Sequence, residues 1–136
     1  MNRRIFLAGS AALAAMLPGR AMASGWIDYQ DGLIGTLQAE GRVVLADFWA
    51  SWCSTCRTQE RILDGLRAEN PAYDAAISFV RVDWDIYNGH QIRHDLGVPR
   101  RSTLVLLQGN TIHGRLVADT RPDNIRALLD QGLGLA

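Results

Sequence analysis

The amino-acid sequence predicts an α/β domain organised around a central mixed sheet. Three observations carry this expectation. Runs rich in β-forming residues alternate with stretches of helical spacing from about residue 26 to the end of the chain. One of them, Val43–Trp49, is apolar apart from a single carboxylate, the pattern of a central strand buried on both faces. The 136 residues, 48% hydrophobic and 21% charged, support one compact core and leave no room for a second.

Each element follows from local pattern. Residues 26–40 carry Trp26, Ile27, Leu33, Ile34 and Leu37 partly at helical spacing and stop at Gly41, which predicts a first helix weakened by Gly32 and Gly35. Val43–Trp49 follows as the buried strand. No proline interrupts the chain from Cys53 to Asn70, where Ile62, Leu63 and Leu66 mark one face of a helix that ends before Pro71. Ile77–Asp83 alternates and reads as the next strand, and residues 87–96 as a short helix closed by Gly97. Thr103–Leu107 is a strand that turns through Gly109-Asn110 into Thr111–Val117. Thr120 and Asp123, three apart, have the form of a capping box for a last helix through Leu129.

Charge and composition exclude several function classes. Fourteen basic residues balance fourteen acidic ones, so there is no basic footprint for nucleic acid. All fourteen basic residues are Arg, which excludes a Schiff-base or P-loop lysine.

Residues 1–23 read as an export signal peptide, with residues 24–136 as the working domain. Arg3-Arg4 precedes an apolar run from Ile5 to Leu17, and Ala21-Met22-Ala23 forms a small-x-small cleavage site. The run is too short to span roughly 30 Å of hydrocarbon as a helix. Asn2-Arg3-Arg4-Ile5-Phe6-Leu7 is similar to a twin-arginine export motif, with Asn2 where Ser or Thr is usual. Cleavage after Ala23 removes Arg3, Arg4 and Arg20, leaving 113 residues with 11 arginines against 14 acids, a net charge of −3. Export places the two cysteines, Cys53 and Cys56, outside the reducing cytosol, where a dithiol works as a redox couple.

A zinc site wants four ligands, and the only histidines, His90, His94 and His113, are not paired with the cysteines in sequence. A static disulfide across two residues closes too small a loop to add much stability. A catalytic dithiol remains. Cys53 falls where a buried strand gives way to a helix, near free N–H groups and the positive end of the macrodipole, which favour the thiolate. Cys56, one turn on, lies within disulfide reach. The pair thus divides into nucleophile and resolving thiol, able to form a Cys53–Cys56 redox disulfide.

The segment Val44-Leu45-Ala46-Asp47-Phe48-Trp49-Ala50-Ser51-Trp52-Cys53-Ser54-Thr55-Cys56 resembles the active-site segment of the thioredoxin superfamily. The likeness continues through Phe79–Asp83 and Gly97–Leu107 to the hairpin and last helix, covering essentially the whole mature chain. The resemblance implies a thioredoxin fold, a thiol–disulfide oxidoreductase and no cofactor. It makes Asp47 the buried acid that relays protons to the resolving cysteine, and a pairing of Asp47 with Arg81 on the next strand is compatible with that role. It sets Trp49 and Trp52 as walls of the site, with simple core as the other reading of either. Trp52, Arg101 and Ser102 are the candidate substrate-binding residues, where Arg100 and Arg101 stabilise the thiolate, recognise an acidic partner or form a solvated loop.

Within the superfamily, Cys56-Arg57-Thr58-Gln59-Glu60 lacks the proline that kinks this helix in cytosolic thioredoxins. It is more similar to the periplasmic C-terminal domain of the transmembrane reductant conductor DsbD, which carries an acid at the Glu60 position. Glu60 either faces the dithiol and opposes thiolate formation or is a solvated helix charge. One departure concerns the cis-proline that the family places opposite the cysteines, where Ser102 stands here. A non-proline cis bond costs about 2.5–4 kcal/mol, so Arg101–Ser102 is expected to be trans and the backbone edge offered to substrate to differ.

The expected function is that of a periplasmic thiol–disulfide oxidoreductase acting as a reductase. The expected partners are a disulfide-containing periplasmic protein and a membrane electron donor of the DsbD type, and the expected state is monomeric. A periplasmic copper(I) metallochaperone using the same soft thiolates is the alternative.

Overall fold

The computed structural model describes residues 25–136, so the expected export signal over 1–23 lies outside the described residues. The elements run β1 (Trp26–Asp28), α1 (Leu33–Ala39), β2 (Val43–Trp49), α2 (Ser54–Glu69), α3 (Ala72–Ala76), β3 (Ile77–Asp83), α4 (Trp84–Tyr87), α5 (Gln91–Asp95), β4 (Thr103–Gln108), β5 (Thr111–Val117) and α6 (Pro122–Leu135). They build a five-stranded mixed sheet of order β1-β3-β2-β4-β5. β3 is parallel to β1 and to β2, while β4 runs antiparallel to both β2 and β5. This is the mixed sheet that the sequence predicts.

The period-2 alternation of β2 sorts its side chains between two layers. Val43 and Leu45 pack with Leu63 and Leu66 of α2 and with Ile125 and Leu129 of α6. Val44, Ala46 and Phe48 face the other way, onto Ile34 and Leu37 of α1 and Ile92 of α5. Asp47 shares the parity of Leu45, so the strand carries its carboxyl to the α2 side of the sheet. All seven residues from Val43 to Trp49 except Trp49 are fully buried. That accounts for the unbroken apolar run.

Three sequence expectations need correction, and one element is unannounced. Residues 26–40 are not one helix. Trp26–Asp28 pairs with Phe79–Arg81 as an edge strand, and Gly32, left-handed at φ 85°, starts α1 only at Leu33. Ala72–Ala76 forms a one-turn helix after Pro71 that the pattern does not announce. The helix expected over 87–96 is split, because Asn88-Gly89 interrupts it and the His90 side chain caps a new turn by accepting from the Ile92 N–H. The Thr120–Asp123 capping box does not form. Asp119 accepts from the Arg121 N–H at 2.9 Å and from Asn124 Nδ2 at 2.7 Å, Pro122 supplies the first helical residue, and α6 continues past Leu129 to Leu135.

Two helical glycines differ in what surrounds them. A Cβ on Gly65, inside α2, meets nothing within 4 Å, whereas one on Gly132 in α6 lies 2.6 Å from Ile77 Cδ1 and 3.2 Å from Leu106 Cδ1 in the core. Gly65→Ala is expected to stabilise by about 0.5–1 kcal/mol through helix propensity. Gly132→Ala is expected to destabilise by about 1 kcal/mol or more through overpacking. Denaturant unfolding of the two variants checks the opposite signs, and equal midpoints would contradict the packing described for α6.

Candidate active site

β2 ends at Trp49, the chain turns through Ala50–Trp52, and α2 begins at Ser54 with Cys53 as its N-cap. The Cys53 sulfur occupies the place usually taken by a hydroxyl or carboxylate oxygen, accepting the Cys56 backbone N–H at 3.2 Å. The positive end of a sixteen-residue helix is therefore aimed at Cys53 Sγ. Both cysteines are free thiols and both are buried, Cys56 completely and Cys53 to 3% exposure.

Opposite them stands Ser102. Among the described residues no peptide bond is cis, and the chain instead reaches this position with Ser102 in the left-handed region at φ 62°. For a side chain with a Cβ that conformation costs about 1–2 kcal/mol. The surroundings hold it there. The Ser102 N–H donates to Phe48 O at 2.8 Å, and its carbonyl accepts from the Ala118 N–H at 2.8 Å and from Gln59 Nε2 at 3.1 Å. Its backbone groups are thus engaged inside the protein, and the Ser102 edge cannot pair with an incoming chain as it stands. Its side-chain oxygen lies 3.2 Å from Cys53 Sγ and 3.1 Å from Cys56 Sγ, bridging the dithiol.

The two thiols are driven in opposite directions. Burial pushes Cys53 up, but hydrogen bonds from the Cys56 thiol, the Ser102 hydroxyl and the Cys56 backbone, with the Arg101 side chain adding to them, bring it down to about 7. Cys56 is pushed above the ordinary thiol value by burial and by its hydrogen bond to Cys53. Across neutral pH it is therefore Cys53 that ionises, while Cys56 stays a thiol.

Asp47 is fully buried, with no hydrogen-bond partner for either carboxyl oxygen. Burial lifts its carboxyl to about 8 against the opposing pull of Arg81, with Glu60 and Cys53 adding to the rise. Asp47 and Arg81 sit side by side in the sheet register, but the Arg81 guanidinium donates to Glu60 Oε1 at 2.5 Å rather than to Asp47. Glu60 also accepts from Trp49 Nε1 at 3.2 Å and is half-buried. It is thus neither a solvated charge nor a hydrogen-bond partner of the sulfurs. Its charge bears on Asp47.

On the open side, Trp52 is 55% exposed and its Nε1 donates to the Asp85 carboxylate at 3.0 and 3.1 Å. The Arg101 guanidinium stacks 4.6 Å over the Trp52 ring. Cys53, Trp52, Arg101 and Ser102 are therefore brought together as the sequence expects, and the fold adds Asp85 to them. It adds Gln59 as well. Fully buried one turn after Cys56, it ties α2 to both Ser102 O and Asp119 O at 3.1 Å. The signal was available, since Cys56, Gln59 and Leu63 fall on one buried helical stripe.

Comparison with known proteins agrees with this geometry. The thioredoxin family model matches residues 32–131. The thioredoxin of Malassezia sympodialis is 31% identical over 91 residues, covering 66% of this chain and 81% of that protein. The chloroplastic thioredoxin M3 of Oryza sativa subsp. japonica is 35% identical over 65 residues, which is 48% of this chain but only 34% of the rice protein. Among solved structures, Trxlp from Edwardsiella tarda EIB202 superposes with a TM-score of 0.65 at 31% identity, covering 78% of this chain and 96% of its own. With its cysteine pair at the mouth of α2 and a buried acid on β2 behind it, the chain belongs to the thioredoxin family of thiol–disulfide oxidoreductases.

Proposed function

We propose that this protein is a periplasmic thiol–disulfide oxidoreductase that works as a reductant. The observation that carries the reductant role is the division of labour in the dithiol, a Cys53 thiol at about 7 beside a Cys56 thiol held above its ordinary value. A nucleophile near 7 suits attack at neutral pH, whereas strong oxidants of this chemistry have one near 3.5 that stabilises the reduced form. The Cys53 thiolate attacks a partner disulfide, one partner thiolate leaves and a mixed disulfide forms. Cys56, losing its proton to the ionised fraction of Asp47, then attacks Cys53 Sγ, and the second partner sulfur leaves as a thiolate that takes its proton from solvent. The protein is left oxidised and the partner reduced.

Export rests on Arg3-Arg4, the apolar run and Ala21-Met22-Ala23. We place the chain with periplasmic thioredoxin-like domains such as that of DsbD, on the strength of Glu60 and of a helix without proline after Cys56. In that setting its partners are a disulfide-bearing periplasmic protein on one side and a membrane electron donor of the DsbD type on the other, and it acts as a monomer. Among the described residues no cluster of three or more His, Cys, Asp or Glu is placed to hold a metal ion, so the copper(I) reading gains no ligand beyond the two sulfurs.

The test is the equilibrium reduction potential of the Cys53–Cys56 pair, measured against glutathione or dithiothreitol buffers. A value near about −270 mV is expected for a reductant, and one near about −120 mV would make the protein an oxidant.

A further inference from the structure

We propose that Ser102 is a catalytic residue of this dithiol, whose hydroxyl donates to the Cys53 thiolate, accepts from the Cys56 thiol and supplies the proton taken by the departing partner thiolate. The proposal deepens the reductant reading above and rests on it.

The geometry leaves little choice. A hydroxyl has one hydrogen and two acceptor sites, and Ser102 Oγ stands 3.2 Å from Cys53 Sγ and 3.1 Å from Cys56 Sγ. With the charge on Cys53, the hydroxyl hydrogen must point there, because a thiolate is the better acceptor. The Cys56 S–H is then shared between Ser102 Oγ and the Cys53 sulfur. The result is a directed chain, Cys56 S–H to Ser102 O–H to Cys53 S⁻, in which each bond polarises the next. Ser102 is completely buried, so no bulk water competes for the hydroxyl. Phe48 of β2, Gln59 of α2 and Ala118 just beyond β5 hold its backbone, which accounts for a left-handed serine persisting here.

The same chain serves the second half of the reaction. In the mixed disulfide, Cys53 Sγ is bonded to the partner sulfur and Cys56 still carries its proton. As Cys56 Sγ bonds to Cys53 Sγ, the bond from Cys53 Sγ to the partner sulfur breaks and its electron pair stays with the partner. The Ser102 hydroxyl passes its hydrogen to that partner sulfur and takes the proton from Cys56, ending as it began. Asp47 lies on the α2 side of the sheet and is the parallel acceptor for the Cys56 proton, the partner sulfur then taking its proton from solvent. The first partner thiolate, released when Cys53 attacked, takes its proton from solvent. One partner disulfide is reduced to two thiols, and Cys53 and Cys56 are oxidised to a disulfide.

The test compares Ser102→Ala and Ser102→Gly with the wild type, glycine being at ease at φ 62°. Two readouts are used: thiolate absorbance against pH, and the level of the glutathione mixed disulfide after acid quench and mass measurement during reaction with glutathione disulfide. Both variants are expected to move the Cys53 midpoint up by about one unit, a tenfold loss of thiolate. Both should also accumulate the mixed disulfide at least five-fold above wild type. Arg101, Cys56 and Asp47, the other groups acting on Cys53, are unchanged in both variants. If Ser102→Gly titrates and resolves like the wild type, the hydroxyl has no catalytic part and the proposal fails. A defect in the alanine variant alone would overturn it equally, since it would report backbone strain. Failure of the reductant reading looks different: the wild type itself would show an oxidising potential, while the shift in the Cys53 midpoint would still be present.

Discussion

Cys53→Ser is expected to lose disulfide reduction by about 10³-fold or more, while Cys56→Ser keeps the first attack and stalls. The asymmetry follows from what each sulfur experiences. Cys53 caps α2, accepts the Cys56 N–H and the Ser102 hydroxyl, and is the thiol of the pair that ionises across neutral pH. A serine there has a hydroxyl that does not ionise in this range, so the same hydrogen bonds find no anion to stabilise and no nucleophile forms. Cys56 is shielded, pushed upward and needed only for release. Its replacement should therefore yield a long-lived disulfide between Cys53 and the partner. Incubation of Cys56→Ser with a periplasmic extract, followed by non-reducing electrophoresis, would display these adducts and identify partners by mass. Reduction by Cys53→Ser at more than about a tenth of the wild-type rate would remove Cys53 as the nucleophile.

The parts of this site that the sequence discloses are those that depend on local order. A buried strand running into an uninterrupted helix puts Cys53 at a helix mouth and Cys56 one turn inside, and no tertiary knowledge is needed for that. Asp47 is legible for the same reason, because period-2 alternation in Val43–Trp49 settles which face its carboxyl takes. The edge strand at Trp26–Asp28 is not legible. Three residues carry no period, and their pairing with Phe79–Arg81 is made across more than fifty residues of chain. The side-chain network hides for a related reason. Glu60 reads equally well as a dithiol neighbour or a surface charge until Arg81 and Trp49 are seen to converge on it from two strands. The absence of proline at 102 is visible in the sequence, and so is the expectation of a trans bond. What replaces it, a left-handed serine with its hydroxyl between two sulfurs, depends on Gln59 of α2, Phe48 of β2 and Ala118 beyond β5 meeting at one point.

Asp47→Asn is expected to make the protein more stable and slower at once, and the pH dependence of the stability gain identifies the cause. In the folded chain the carboxyl is fully buried, without a hydrogen-bond partner, and titrates at about 8. In the unfolded chain it titrates near 3.9. Between those values the native state holds a proton that the unfolded state has released, so stability falls as pH rises through this window and levels off above about 8. Cys53, lowered by its partners, works in the opposite sense at higher pH, but it is common to both proteins and largely cancels in their difference. The variant is therefore expected to match the wild type near pH 4 and to exceed it by roughly 2–4 kcal/mol at pH 7, from about 1.4 kcal/mol per unit of pKa shift reduced for relaxation around the buried group. The cost should fall on the second half of the reaction. The amide lacks the ionised fraction of Asp47 that takes the Cys56 proton, so resolution of the mixed disulfide should slow by about 10²-fold or less, with Ser102 still available, while attack by Cys53 changes little. A stability difference that stays constant between pH 4 and 8 would show that Asp47 does not carry the raised pKa. Faster unfolding with unchanged resolution would leave it a packing residue. Lower stability and faster release changing together are the signature of an acid acting on Cys56, and these two measurements separate that role from simple packing.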